Sequence, residues 1–348
     1  MRKGLRVAIS IAALGLGMAG LAPGLSPALA AGAPCGVPGD TIRKGANAYA
    51  DGRYELAKPM FDCVLRSDDA LSRLHAEYYL ARIYSDDAGG FVDHAKAYTL
   101  YLGISDAADV VDPEDARRAP FVAKAVTAIA GYVRRGLPEI GLKSDLGRAV
   151  EYYRNAATFF NEPDAQFELA KLHLAGTGVP VDVRLGLHYI QNLVREGHAG
   201  AQAYLADQHW RGGLEPAVSK DRPRALAMSK LAVENASMSD RLWIEDIYQN
   251  IYCGTKSAER VQAAMIVNDL RRAYARNPNA SQAPQAQKSI APAMALGRHQ
   301  PTPSRTCSNG EPIMLELRTD IATPPLASSL SQSLPQQTTP AGMRPPAR

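Results

Sequence analysis

The run "GTGVPVDVRLGLHYI", Gly176 to Ile190, poses a choice between a phosphate-gripping loop that opens a helix and a plain turn between two helices. A phosphate loop needs backbone amides converging on an anion, and its fingerprints carry a third glycine, or Gly-Lys-Ser/Thr, directly after a buried strand. Neither is present. The preceding "PDAQFELAKLHLA", Pro163 to Ala175, puts Ala165, Leu169 and Leu172 on one helical stripe and Phe167, Ala170 and Leu174 on a second. It reads as a helix covered from two sides. Gly176 and Gly178 then supply the positive φ that ends it. Asp182 caps the next helix, and Leu187, Ile190 and Val194 are that helix's buried seam.

The pattern recurs outward from this turn. Leu169-Ala170-His173-Gly176 returns as Leu205-Ala206-His209-Gly212, more loosely as Ile129-Ala130-Val133-Gly136, and in divergent form from Leu80-Ala81, with Tyr84 at the histidine position. An aspartate followed four residues later by a small residue, then a large one, occurs at Asp93/Ala97/Tyr98, Asp145/Ala149/Val150, Asp182/Gly186/Leu187 and Asp221/Ala225/Leu226. The last two aspartate intervals are 37 and 39 residues, the length of a stacked helical hairpin slightly longer than a tetratricopeptide unit. The first interval, 52 residues, leaves room for an insert at 106–120. The expected fold is all-α: one elongated solenoid of stacked hairpins over residues 31–276, with an alanine- and leucine-rich core.

The two ends are different material. Arg2, Lys3 and Arg6 precede an apolar run from Val7 to Leu21 and a small-residue site at Ala28-Leu29-Ala30, the layout of a secretory signal peptide over residues 1–30. A lipoprotein anchor at Cys35 is the weaker alternative, because Pro34 stands where such a site wants a small residue. Residues 277–348 hold 12 of the 24 prolines among Gln, Ser, Thr and Ala, a composition expected to form a disordered tail. The expectation is an exported, periplasmic chain with no membrane insertion after cleavage.

Charge narrows the function classes. Without the leader the chain keeps 36 basic against 35 acidic residues, and residues 31–276 alone carry 30 against 32. That balance removes the electrostatic warrant for nucleic-acid binding. Four cysteines, Cys35, Cys63, Cys253 and Cys307, suggest two disulfides in an exported chain, and four cysteines allow three pairings. Cys35 with Cys63 and Cys253 with Cys307 close the shortest loops. No two lie close enough for a zinc knuckle.

Catalytic signals are thin: Glu168 precedes His173 by five residues, not at metalloprotease spacing, and no serine has a GxSxG setting. No catalytic residue, cofactor or metal is expected. His173 and His209 share a repeat position where a bulky packing residue suffices, although protonating both would place two charges on one edge of the array. Arg134, Arg135, Trp210 and Arg211, read as lying on loops between paired helices, are candidates for partner contact, since exposed Trp and Arg are favoured at interfaces.

The unit "AxxxLAxxHxxGxGVxxDxxxAxxY", best seen from Ala165 to Tyr189, resembles a Sel1-like repeat. The segments at 45–57, 114–136, 145–172 and 196–203 further resemble the ExoR family of periplasmic regulators. The resemblance runs from about 41 to 275. It implies a periplasmic inhibitor that binds the sensor domain of a membrane histidine kinase, holds a two-component system off and restrains exopolysaccharide synthesis. The cysteines and the long proline-rich tail depart from that family. A cell-envelope scaffold and an unrecognised hydrolase are the rival readings.

Overall fold

The computed structural model describes residues 35–275 except 88, 215, 238 and 239, together with 306–310 and 313. The expected signal peptide lies outside these residues, as does most of the expected tail.

Among the described residues the regular structure is helical: α1 (Pro38–Ala50), α2 (Tyr54–Val64), α3 (Ala70–Ser85), α4 (His94–Ser105), α5 (Ala119–Arg135), α6 (Leu146–Thr158), α7 (Pro163–Ala175), α8 (Val183–Glu196), α9 (Ala199–Arg211), α10 (Arg222–Asn235), α11 (Arg241–Gly254) and α12 (Ser257–Ala275). Each helix from α1 to α10 packs on the next, α12 packs on α10, and α1 also touches α3, α3 touches α5, α5 touches α7 and α9 touches α11. This is the stacking of a helical solenoid. Three apolar clusters follow one another along the chain and share bridging residues, Tyr79 and Tyr84 between the first two and Tyr189 between the last two.

One hydrogen-bond unit builds the four central hairpins. The N–H of each repeat aspartate donates to the carbonyl of the residue at the histidine position: Asp93 to Tyr84, Asp145 to Val133, Asp182 to His173 and Asp221 to His209, all at 2.9 Å. The side chains of the same aspartates accept from the N–H three residues on, in Lys96, Arg148, Leu185 and Arg224, at 2.8–3.0 Å. The aspartate thus caps one helix while tying it to the end of the previous one. Gly176 and Gly212 terminate α7 and α9 in the left-handed region, at φ 67° and 74°.

The small residue four past each aspartate marks where the two helices of a hairpin touch. Ala97, Ala149 and Ala225 are fully buried. A Cβ on Gly186 would meet Leu174 Cγ at 2.6 Å and the Ala170 carbonyl at 3.0 Å, so α8 crosses α7 too closely for any side chain there.

The cysteines pair as Cys35–Cys63 and Cys253–Cys307, with Cα atoms 5.6 Å and 5.5 Å apart. The first joins the segment before α1 to α2. The second joins α11 to Cys307, which is buried, and Ile313 packs against the same cluster. Part of the segment expected as tail therefore lies against the last helices.

A candidate partner-binding cleft

The first helices of four successive hairpins, α5, α7, α9 and α11, each turn one stripe toward a shared cleft of about 1040 Å³. Lys124, Thr127, Gly131 and Arg134 supply it on α5, Asp164, Phe167 and Lys171 on α7, Gly200, Tyr204 and Asp207 on α9, and Trp243 and Ile247 on α11. Steps of three and four residues keep each set on one helix face. Arg82 of α3 joins at one end, beside Pro113 and Ala116 of the segment between α4 and α5.

Charges are tied across neighbouring hairpins at the centre of the cleft. Lys124 Nζ of α5 lies 3.4 Å from Glu162 Oε1 and 3.6 Å from Asp164 Oδ2, at the start of α7. His198, the N-cap of α9, accepts the Ala201 N–H at Nδ1, so its Nε2 carries the hydrogen and donates to Asp164 Oδ1 at 3.0 Å. Lys124, Asp164 and His198 thus link three successive hairpins.

Burial works against the Lys124 charge, but Glu162 and Asp164 outweigh it and hold the ammonium above the ordinary lysine pKa. Burial pushes Glu162 up despite Lys124 beside it. At Asp164 burial is outweighed by Lys124 and by the His198 hydrogen bond, so its pKa falls below the usual carboxylate value. The Asp164 side chain keeps about half its surface, 55%, in water, which screens these interactions. Further along, Lys171 Nζ bonds Glu168 at 2.7 Å and sits 4.5 Å from the Phe167 ring centroid, and Arg134 lies 3.5 Å from Glu168.

The sequence candidates divide between residues that line this cleft and residues that do not. Arg134 and Arg135 line the cleft. Both belong to the last turn of α5 rather than to a loop, and Trp210 and Arg211 likewise end α9. The terminating glycines, Gly136 and Gly212, come after them, so their backbones are still helical. Trp210 is a packing residue: its ring fills the space beside Gly254 and lies 4.9 Å beneath the Arg222 guanidinium. Arg211 pairs with Asp207 at 2.7 Å.

His209 Nδ1 donates to the Ser219 carbonyl at 2.8 Å and braces the loop after α9. His173 Nδ1 is buried without a hydrogen-bond partner. Gly178, at φ 73°, continues the turn after α7 against Leu146 and Val150.

Sequence reasoning missed Lys124, Asp164, Phe167, His198, Tyr204 and Trp243. A signal existed in the non-core stripe at three- and four-residue steps on each first helix, but it repeats by position rather than by residue type. Among the described residues no group of three or more His, Cys, Asp or Glu could hold a metal ion, and no helix is long and apolar enough to cross a membrane.

Comparison with known proteins gives the family context. The Sel1 repeat model matches residues 74–102, 130–158, 163–198 and 199–237. These spans fall on the hairpins α3–α4, α5–α6, α7–α8 and α9–α10. An exopolysaccharide production negative regulator of Rhizobium meliloti (strain 1021) is 29% identical over 274 residues, covering 77% of this chain and 97% of the relative. One of Rhizobium leguminosarum bv. viciae is 25% identical over 233 residues, covering 67% and 82%. A solved Sel1 repeat protein from Oxalobacter formigenes aligns with a TM-score of 0.41 at 20% identity, over 69% of this chain and 84% of that one. The protein carries four Sel1 repeats and is homologous, over most of its length, to the negative regulators of exopolysaccharide production.

Proposed function

We propose that this chain is an exported, periplasmic regulator that binds the sensor domain of a membrane histidine kinase, holds a two-component system inactive and so restrains exopolysaccharide synthesis. The observation that carries the reading is the alignment with a negative regulator over 97% of that relative's length. Two features of the chain support it. Stacked hairpins present a continuous curved surface suited to gripping another protein, and disulfides at both ends of the array suit an oxidising compartment. Regulation then acts by occupancy: the bound chain holds the sensor domain in its off state, and loss of binding frees it.

Deleting the gene tests the reading at one level and isothermal titration of the mature chain against the kinase's extracytoplasmic domain at another. The expected results are raised exopolysaccharide and saturable binding. Unchanged polymer in the deletion together with no heat of binding would sink the proposal. Retention on purified peptidoglycan in place of the kinase domain would favour an envelope scaffold.

A further inference from the structure

The charges of the cleft neutralise one another at its centre and stand unmatched toward its margins. Lys124, Arg134 and Lys171 each have a carboxylate within 4 Å. Arg135 is exposed at the end of α5 with its guanidinium 5.4 Å from the Tyr132 ring centroid, and no carboxylate among the described residues pairs with it. Glu196, at the end of α8, likewise has no cation pairing with it among the described residues. At the α11 end Trp243 keeps 39% of its surface in water, with Ile247 four residues on along the same cleft-lining stripe. Its indole N–H donates to Asp240 at 3.4 Å.

The longest interval of the array points to the same face. The segment between α4 and α5 brings Pro113 and Ala116 to the cleft wall. It is pinned there by His75, whose Nε2 donates to the Arg117 carbonyl at 3.0 Å and whose ring stacks on Phe121 at 4.1 Å. Insertions in repeat arrays collect on one face, often the one that binds. Here the insertion closes one end of the cleft and Trp243 stands at the other.

The chemistry of the occupant follows from what the cleft offers. Polyanions such as nucleic acid or an acidic polysaccharide need an excess of cations, and here Glu162, Asp164, Glu168 and Asp207 offset the basic side chains. A Trp with a flanking apolar residue and one unmatched charge of each sign is the make-up of a protein-binding hot spot and its rim. We propose that the cleft docks an extended segment of a partner protein, which sets a carboxylate on Arg135, an apolar or aromatic side chain on Trp243 and a cation on Glu196. This deepens the regulator reading and rests on it only in taking the partner to be a protein.

Photo-crosslinking in the native host, with benzoylphenylalanine at position 243 of the full chain and separately at exposed position 188 on α8 as control, tests the docking. The expected result is an adduct from 243 but not from 188, mapped by mass spectrometry to one protein segment that carries an acidic residue near an apolar one. Arg135→Glu should lower its yield about tenfold while leaving the melting temperature unchanged, because Arg135 is exposed. Equal yield in Arg135→Glu, equal adducts from 188 and 243, or no adduct from 243 would overturn the proposal. So would an adduct to polysaccharide, to a second copy of the chain, or within the chain to residues 314–348. Titration of the kinase's extracytoplasmic domain against Trp243→Ala and Arg135→Glu separates the two readings. Wild-type affinity in both variants refutes the cleft and keeps the kinase, whereas a mapped adduct to a different protein keeps the cleft and refutes the kinase.

Discussion

From the end of α7 to the start of α10 the helix boundaries are set by local backbone chemistry, whereas at the two ends of the array they are not. In the inner hairpins Gly176 and Gly212 end helices in the left-handed region, and the side chains of Asp182 and Asp221 cap the helices that follow. At α1, α2 and α11 the N-cap residues, Val37, Arg53 and Asp240, make no side-chain cap hydrogen bond. Those ends carry the disulfides instead. An inner hairpin is buried by neighbours on both sides, while a terminal one has a single neighbour and less packing to hold it. A covalent link compensates by removing conformations from the unfolded chain.

Breaking the staple of the last hairpin should have the largest effect. Cys253 and Cys307 are 54 residues apart, and the chain-entropy estimate for a loop of that size is about 4 kcal/mol. The double substitution to alanine should lower urea-unfolding stability by roughly that amount. A loss under about 1 kcal/mol would mean that α11 and α12 are held by packing alone.

The inner hairpins should instead be sensitive to single atoms at the crossing points. Gly186→Ala places a methyl 2.6 Å from Leu174 Cγ, and overpacking of about 1–3 kcal/mol should outweigh the helix-propensity gain of about 1 kcal/mol. Thermal melting of this variant should fall. A stabilised Gly186→Ala would show that α7 and α8 separate freely, and the contrast between inner and terminal hairpins would lose its basis.

Lys124→Met tests the ties between hairpins. Removing the ammonium leaves Glu162 and Asp164 without their cation, and the loss at neutral pH should be about 2 kcal/mol, less than for a fully buried pair because Asp164 is open to water. The sign of the pH dependence follows from Glu162, whose folded-state pKa is raised. Its ionised form costs stability at neutral pH, and that cost disappears as pH falls through the folded-state value. The deficit of Lys124→Met against wild type should therefore shrink in mild acid. A deficit that grows in acid would place the destabilisation elsewhere.

The smallest effect sharpens the Gly186 result. Gly103 also lies within a helix, α4, but a Cβ there would meet no atom within 4 Å. Gly103→Ala should gain about 0.5–1 kcal/mol through reduced backbone entropy in the unfolded chain. A matching loss at both glycines would mean that close approach is not what distinguishes Gly186.

Much of the fold is legible in the sequence, because its signals are local. The periodicity of Pro163 to Ala175, the glycines at 176 and 212 and the aspartates at 93, 145, 182 and 221 act within a few residues of where they stand, and each does in three dimensions what its spacing predicts. The residues at the histidine position are the exception that instructs. Tyr84, Val133, His173 and His209 share a role through their backbone carbonyls, so their side-chain chemistry pointed toward a site when the position itself is structural.

The cleft belongs to the tertiary structure. Lys124, Asp164 and His198 are separated by 40 and 34 residues, and nothing in their local sequence says that Lys124 of α5 meets the start of α7 and that the start of α7 meets that of α9. The sequence by itself determined the hairpin, its caps and its repeat, because hydrogen bonds to the nearest backbone and a 3.6-residue period are properties of a short stretch of chain. Which exposed stripe of each first helix faces the common cleft was decided only when the hairpins stacked. That rotation is fixed by contacts between repeats, such as the Lys124–Asp164–His198 tie and the packing of Trp210 against Gly254, which no single repeat contains.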